Sequence, residues 1–347
     1  MDQTAERCAI ARKYRMPFFT IESEEESARL RACSVLAGSL PRITPIKLAA
    51  PVSQDTIDAY LARLRVERPS KPTPEALDIL TAAHLERIPY DNLDIHTGRP
   101  PPALDFASEV RRVAEGGRGG YCFTAVGAFA SLLHSLGFVV SLHVGAVGPD
   151  PPPVERWGNH VVLIVHFEDG PSVVADCGLG EGPCHAFQLQ EYKFDESGSL
   201  FAMEQREKAQ GVEKWWFQNA PGHSFPGFAV DLSTSIASCE EFQAYHSMYW
   251  THPESNYVKP GVVIHRPDME GVLTLRGCAL RRTHPNSGSR VLKIVDNRSD
   301  WFQLLEDAFH MDLHDLSEAE RDHLWNRVSS DHSEWLSRKA AQQQAVP

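Results

Sequence analysis

Cys122 stands in the stretch GRGGYCFTAVGAF, behind two glycines and a tyrosine and ahead of an apolar run at helix spacing. A thiolate is the nucleophile of acyl transfer, and a helix N-terminus favours it over the thiol through unpaired N–H groups and the positive end of the dipole. Val126, Phe129, Ala130, Leu133 and Leu136 recur at i, i+3, i+4, i+7 and i+10. This spacing predicts a buried helical stripe ended by Gly137, with Cys122 at or just before its first turn. Gly119 and Gly120 allow a sharp turn and leave room beside the sulfur, and Arg118 adds positive charge nearby. Cysteine is also a common small core residue, so the stretch alone leaves both roles open.

A nucleophilic cysteine needs a base, and the base an orienting group. His160 opens the run HVVLIVHF, and Asp176 lies near the end of SVVADCG. Glu168-Asp169-Gly170 between them is a hairpin signal that folds residue 160 back opposite roughly 176 to 179. That register gives nearness rather than a hydrogen bond. An aspartate at an apolar strand end, ahead of Gly178 and Gly180, needs a partner if it is buried, and His160 is the nearest candidate.

The elements that must hold these groups read in order along the chain. DTIDAYLARL puts Ile57, Tyr60, Leu61 and Leu64 on one helical face. PTPEALDILTAAHLERI repeats the pattern, with Thr73 as N-cap and Pro74 at the first helical position. IPYDNLDIHTGRPPPALD is rich in turn formers and leads to the helix ASEVRRVAEG. After Gly137 the period changes to strands: FVVSLHVGAV, HVVLIVHF and SVVADCG, then GVVIHRPDMEGVLTLRGCALRR around a turn. A C-terminal helix follows, with Ser317 and Glu320 as a capping box. The class is α+β. The expected divisions are an N-terminal extension over 1–52, a helical bundle carrying Cys122 over 53–137, a β-barrel carrying His160 and Asp176 over 138–235, and an α/β lid with a C-terminal helix over 236–347. The extension, with its IESEEESARL patch and proline-punctuated LPRITPIKLAAPVS, reads as poorly ordered.

At 347 residues the chain can bury a large core, and a net charge of −12 argues against a nucleic-acid binder, which needs a basic surface. No apolar run approaches membrane-span length. The 7 cysteines are irregularly spaced with no C-x-x-C, and no apolar signal core precedes them. They read as reduced thiols of a cytoplasmic protein.

RGGYC, NHVVLIV and VADCGLG, in this order and spacing, resemble the arylamine N-acetyltransferase family, whose pattern is RGG-aromatic-C, a His opening a strand, and D-x-G-aromatic-G. IPYDNLDIHTGR is similar to the family's IPFENLDIH segment, HPESNY to its P-x-S-x-F stretch and GVLTLRGCAL to its strand pair, so the resemblance spans roughly Asp55 to Lys339. It implies a three-domain fold of helical bundle, antiparallel β-barrel and α/β lid around a cysteine-protease-like Cys-His-Asp core. Cys122 is then the acyl-accepting nucleophile, His160 its base and Asp176 the orienting acid. Arg118, Gly119 and Gly120 support the site, and Phe123, Tyr257 and Leu179 meet the substrate. The implied reaction moves an acetyl group from acetyl-CoA, or another acyl-CoA, to an aromatic amine or hydrazine by a ping-pong route. Acetyl-CoA is a cosubstrate; no permanent cofactor, metal, nucleic acid or membrane partner is expected.

The chain departs from that pattern at Thr124, where Glu or Gln is usual, at Val126 for Asn, at Leu179 for the aromatic, and at Cys177 for Val. Two alternatives stand beside the transferase: an amide synthase closing a macrolactam from a carrier-bound acyl chain, and a degenerate member that only binds. His310 and His314 could share a helix face as metal ligands, but with no third ligand they read as solvated. Cys177 reads as a packed thiol, GLGEG at 178–182 as the turn after Asp176, and Trp215 and Trp216 as core or cleft wall.

Overall fold

Side-chain caps start the first helices where the sequence places them. Ser53 accepts from Thr56 N at the head of α1 (Gln54–Leu64), whose Ile57, Tyr60, Leu61 and Leu64 are buried. Thr73 does the same for α2 (Pro74–Arg87) and Asp105 for α3 (Phe106–Glu115). The computed structural model describes residue 46 and residues 52–344 apart from 210, 211, 238, 256, 260 and 285–287. The N-terminal extension, with Cys8 and Cys33, therefore lies almost wholly outside the described residues.

Helix α4 (Cys122–Ser135) differs from the amphipathic stripe its spacing predicts, because every residue from Cys122 to Leu133 is buried. Its second face is built of small residues that let neighbours approach. A methyl group on Gly127 would come 2.9 Å from the Phe106 ring of α3. One side of α4 therefore meets α3 and α1, and the other meets the sheet. Gly137 ends the helix at φ 89°, in the left-handed region.

The short strand β1 (Tyr90–Asp91) precedes α4 in sequence. The next strands are β2 (Val139–Val147), β3 (His160–His166), β4 (Val173–Val174), β5 (Phe187–Gln188), β6 (Tyr192–Glu196), β7 (Ser199–Ala209), β8 (Val212–Gln218) and β9 (Gly227–Ile236). They pair antiparallel in the order β5-β4-β3-β2-β9-β8-β7-β6 and curl into a half-barrel. The β3–β4 register, with Ile164 opposite Val174 and Val165 opposite Val173, carries the chain back toward the start of β3.

A second antiparallel sheet runs β1-β10-β11-β12-β13, formed with β10 (Val263–Asp268), β11 (Gly271–Arg276), β12 (Ala279–His284) and β13 (Gly288–Ile294). Tyr90 pairs with His265 and Asp91 with Ile264, so the segment leading into the RGG turn is stitched to the C-terminal third. Helices α5 (Gln243–Thr251), α6 (Arg298–Phe309) and α7 (Glu318–Gln344) complete an α+β fold. Ser317 and Glu320 form the reciprocal capping box ahead of α7, with Ser317 N donating to Glu320 at 2.8 Å. Helix α6 stops at Phe309, so His310 caps it at φ 56° and His314 instead pairs with Asp312. The two histidines share no helix face.

Candidate active site

Cys122 is the first residue of α4 and is 1% exposed. Thr124 N and Ala125 N bond to Tyr121 O, closing the first turn behind it. The turn in front is fixed by close packing. A methyl group on Gly119 would meet Pro89 O at 2.0 Å, and one on Gly120, at φ 80°, would meet Thr124 Oγ1 at 2.1 Å. Asp91 Oδ2 accepts from Gly120 N at 2.8 Å, which ties this turn to β1. Gly178 lies against Cys122 from the far side: a methyl group there would sit 2.8 Å from Cys122 Cα. That contact presses the Asp176 turn onto the start of α4.

His160 opens β3 opposite Gly145 of β2, where a larger residue would crowd the imidazole. Its Nε2 lies 2.7 Å from Asp176 Oδ2, the hydrogen bond that the sequence register alone does not give. Nδ1 is therefore the nitrogen left for Cys122. Asp176 Oδ1 accepts from Gly178 N at 2.8 Å, so both carboxylate oxygens are used inside the protein. Burial alone would lower the His160 pKa. The Asp176 charge and hydrogen bond, joined by the Cys122 side chain, push it up instead, to about 10. An imidazole that keeps its proton at neutral pH is the counter-ion a thiolate requires. Cys177, next along, is buried too. Its thiol is pushed well above the ordinary value by burial and by Asp176, so it holds its proton.

Arg118 is 3% exposed, and its guanidinium is taken up by Asp94 at 2.8 Å and by both oxygens of Asp315. Burial opposes it, but Arg118 and Arg99 together hold the Asp315 carboxyl down to about 2. The arginine thus clasps the RGG turn to the segment ahead of α7. Phe123 is fully buried, stacked on Phe242 at 4.9 Å and Tyr249 at 5.7 Å. Tyr257, half-buried, packs on Tyr249 at 4.4 Å and on Tyr121 at 4.9 Å, so both lie in the aromatic cluster around Cys122. Leu179 instead packs with the half-barrel residues Val162, Phe217 and their neighbours. Thr124 donates to Tyr121 O at 2.9 Å and Val126 is completely buried against Gly178.

Three contributors carry no local signal in the sequence. The Asn159 carbonyl lies 3.9 Å from Cys122 Sγ and accepts from Tyr249 Oη at 2.9 Å. Tyr90 reaches the site from β1, with its hydroxyl on that of Tyr257 at 2.8 Å. Only IPYDN, among turn formers, hints at a placed aromatic.

Cys122 at a helix start, His160 and the buried Asp176 thus meet between a helical layer and a curled sheet, which defines an α+β fold with a Cys-His-Asp cluster at its centre. The N-acetyltransferase family model matches residues 73–319. The arylamine N-acetyltransferase / N-hydroxyarylamine O-acetyltransferase of Salmonella typhimurium is 28% identical over 272 residues, covering 75% of this chain and 90% of that protein. Among solved structures, the S. typhimurium arylamine N-acetyltransferase aligns with a TM-score of 0.66 at 25% identity, over 79% of this chain and 99% of that one. The Mycobacterium marinum arylamine N-acetyltransferase in complex with CoA shares the fold, with a TM-score of 0.65 at 21% identity over 79% and 98% of the two chains. The chain belongs to the arylamine N-acetyltransferase family.

Proposed function

We propose that this protein transfers an acetyl group from acetyl-CoA to an aromatic amine or hydrazine through an acyl-cysteine at Cys122. The observation that carries the reading is the 2.7 Å His160–Asp176 hydrogen bond behind a cysteine that begins a buried helix. His160, already protonated, pairs with the Cys122 thiolate, which attacks the thioester carbonyl. The carbon–sulfur bond to CoA breaks, and CoA leaves with a proton returned by His160. The amine then attacks the acyl-cysteine, gives its proton to His160, and releases the Cys122 thiolate. Exchange of one thioester for another is nearly isoenergetic, which suits cysteine better than serine. The oxyanion of each tetrahedral intermediate is met by the Cys122 N–H at the positive end of α4.

Arg118, Gly119 and Gly120 hold the nucleophile turn, while Tyr257 forms a substrate wall that Phe123 backs through Tyr249, and Leu179 stands on the half-barrel side. The divisions 53–137, 138–235 and 236–347 then correspond to the part that carries the nucleophile, the part that carries base and acid, and the lid. No helix among the described residues is long and apolar enough to cross a membrane. The names of the relatives favour a free arylamine acceptor over macrolactam closure.

Mass spectrometry tests the reading directly. Protein incubated with acetyl-CoA should carry one acetyl group on Cys122, and an arylamine or hydrazine should discharge it. Failure to form an adduct with acetyl-, propionyl- or malonyl-CoA overturns the proposal.

A further inference from the structure

Two tyrosines from opposite ends of the chain meet at the rim of the site. The Tyr90 hydroxyl donates to the Tyr257 hydroxyl oxygen over 2.8 Å. Both residues are only half-buried, unlike the sealed Cys122 and Phe123 beside them. A hydroxyl that accepts one bond still has a proton to give. Tyr257 Oη has no acceptor for that proton among the described residues, so the proton is available to a molecule entering the site.

The pair is held rigidly enough to discriminate. Asn92 Nδ2 and His96 Nε2 each donate to Tyr257 O at 2.9 Å, and Asn92 Oδ1 accepts from Val263 N at 2.7 Å. The segment that carries Tyr90 therefore grips the backbone that carries Tyr257. Gly180 presses on the other tyrosine, since a methyl group there would be 2.7 Å from Tyr90 Cγ.

Their surroundings limit the ligand further. The Tyr257 ring leans on Tyr249 and Tyr121, an aromatic wall suited to an aryl ring. Glu181, 5% exposed, follows Gly180 beside Tyr90, and its negative charge acts on the Tyr90 hydroxyl. His265 next to Glu181 does not cancel it, because burial holds that imidazole neutral, with a pKa of about 4. A carboxylate ligand would meet repulsion here, whereas a neutral oxygen would not.

We propose that the Tyr90–Tyr257 hydroxyl pair selects aromatic amines bearing a neutral ring oxygen, such as an ether, with Tyr257 as donor and Tyr90 as its positioning residue. The proposal rests on the acyl-transfer reading above. It is tested by kcat/KM for 4-methoxyaniline against its near-isostere 4-ethylaniline, and against 4-aminobenzoate. One neutral hydrogen bond corresponds to a preference for the ether of roughly three- to tenfold. Tyr257→Phe should bring the ether-to-alkyl ratio to about one through KM, and Tyr90→Phe should reduce it partway. A ratio cancels general losses of activity, and thermal unfolding of each variant reports its folding. A wild-type ratio near one, a ratio unmoved by Tyr257→Phe, or a preference for 4-aminobenzoate overturns the proposal. If Cys122 takes up no acetyl group in the wild type, the failure belongs to the acyl-transfer reading instead.

Discussion

Two buried histidine–carboxylate pairs flank the same turn, and they behave oppositely. Asp176 opens the turn and faces His160; Glu181 closes it and faces His265. At the first pair the atoms lie 2.7 Å apart and the imidazole is driven up to about 10 against its burial. At the second they lie 3.6 Å apart and burial wins, leaving His265 at about 4. The difference lies in the remaining partners. His265 Nδ1 bonds Thr274 Oγ1 at 2.9 Å, Glu181 accepts from Ser224 N, and Arg276 and His223 repel a second positive charge. His160 has both the direct bond and the Cys122 sulfur. A nearby acid therefore does not make a base; a direct hydrogen bond strong enough to outweigh burial does.

The strongest way to break the contrast is to remove the Asp176 charge. Asp176→Asn should lower kcat/KM by about 10²- to 10⁴-fold, because burial then governs His160 as it governs His265. Steady-state acetyl transfer measures this, and a loss under tenfold would end the assignment. The same variant should slow iodoacetamide alkylation of Cys122 at pH 7 by at least about tenfold. The rate should recover as pH rises toward the ordinary thiol range near 8.5.

Stability against pH sharpens the comparison. His160 has a folded pKa of about 10 against an ordinary 6.5, so its proton favours the fold fully below 6.5. That support is lost as pH rises from 6.5 through 10. His265, at about 4, is neutral in both states above 6.5 and destabilises the fold as pH falls from 6.5 toward 4. The Tm of Asp176→Asn should lose the alkaline slope, and that of His265→Gln the acid one. The smallest effect is expected from Glu181→Gln, which should lower turnover by less than tenfold. An effect as large as that of Asp176→Asn would erase the distinction between the pairs.

Much of the site was legible because its members obey local rules. Cys122 follows a glycine turn and starts a helix, His160 starts a strand, and the 168–170 turn brings Asp176 back within a short hairpin. Thr73, Ser317 and Glu320 were readable as caps for the same reason. What resisted reading depends on partners distant in sequence. Arg118 looked like a free positive charge near sulfur, but Asp94 and Asp315 consume it. The α4 stripe looked one-sided, yet small residues allow burial all round. His310 and His314, read as solvated, are exposed just past the end of α6.

By itself, then, the sequence determined which groups could react, because a cysteine ahead of a helical stripe and a histidine and aspartate at the two ends of a hairpin are specified by residue type and short-range periodicity. Tertiary structure alone decided which histidine is pushed up by its carboxylate and which is held down by burial, and which tyrosine hydroxyls meet. Those outcomes depend on distances of a few tenths of an ångström between segments that meet only after β1 has paired with β10 and the half-barrel has closed onto α4. Electrostatics and hydrogen bonding fall off steeply over such distances, and no periodicity along the chain encodes them.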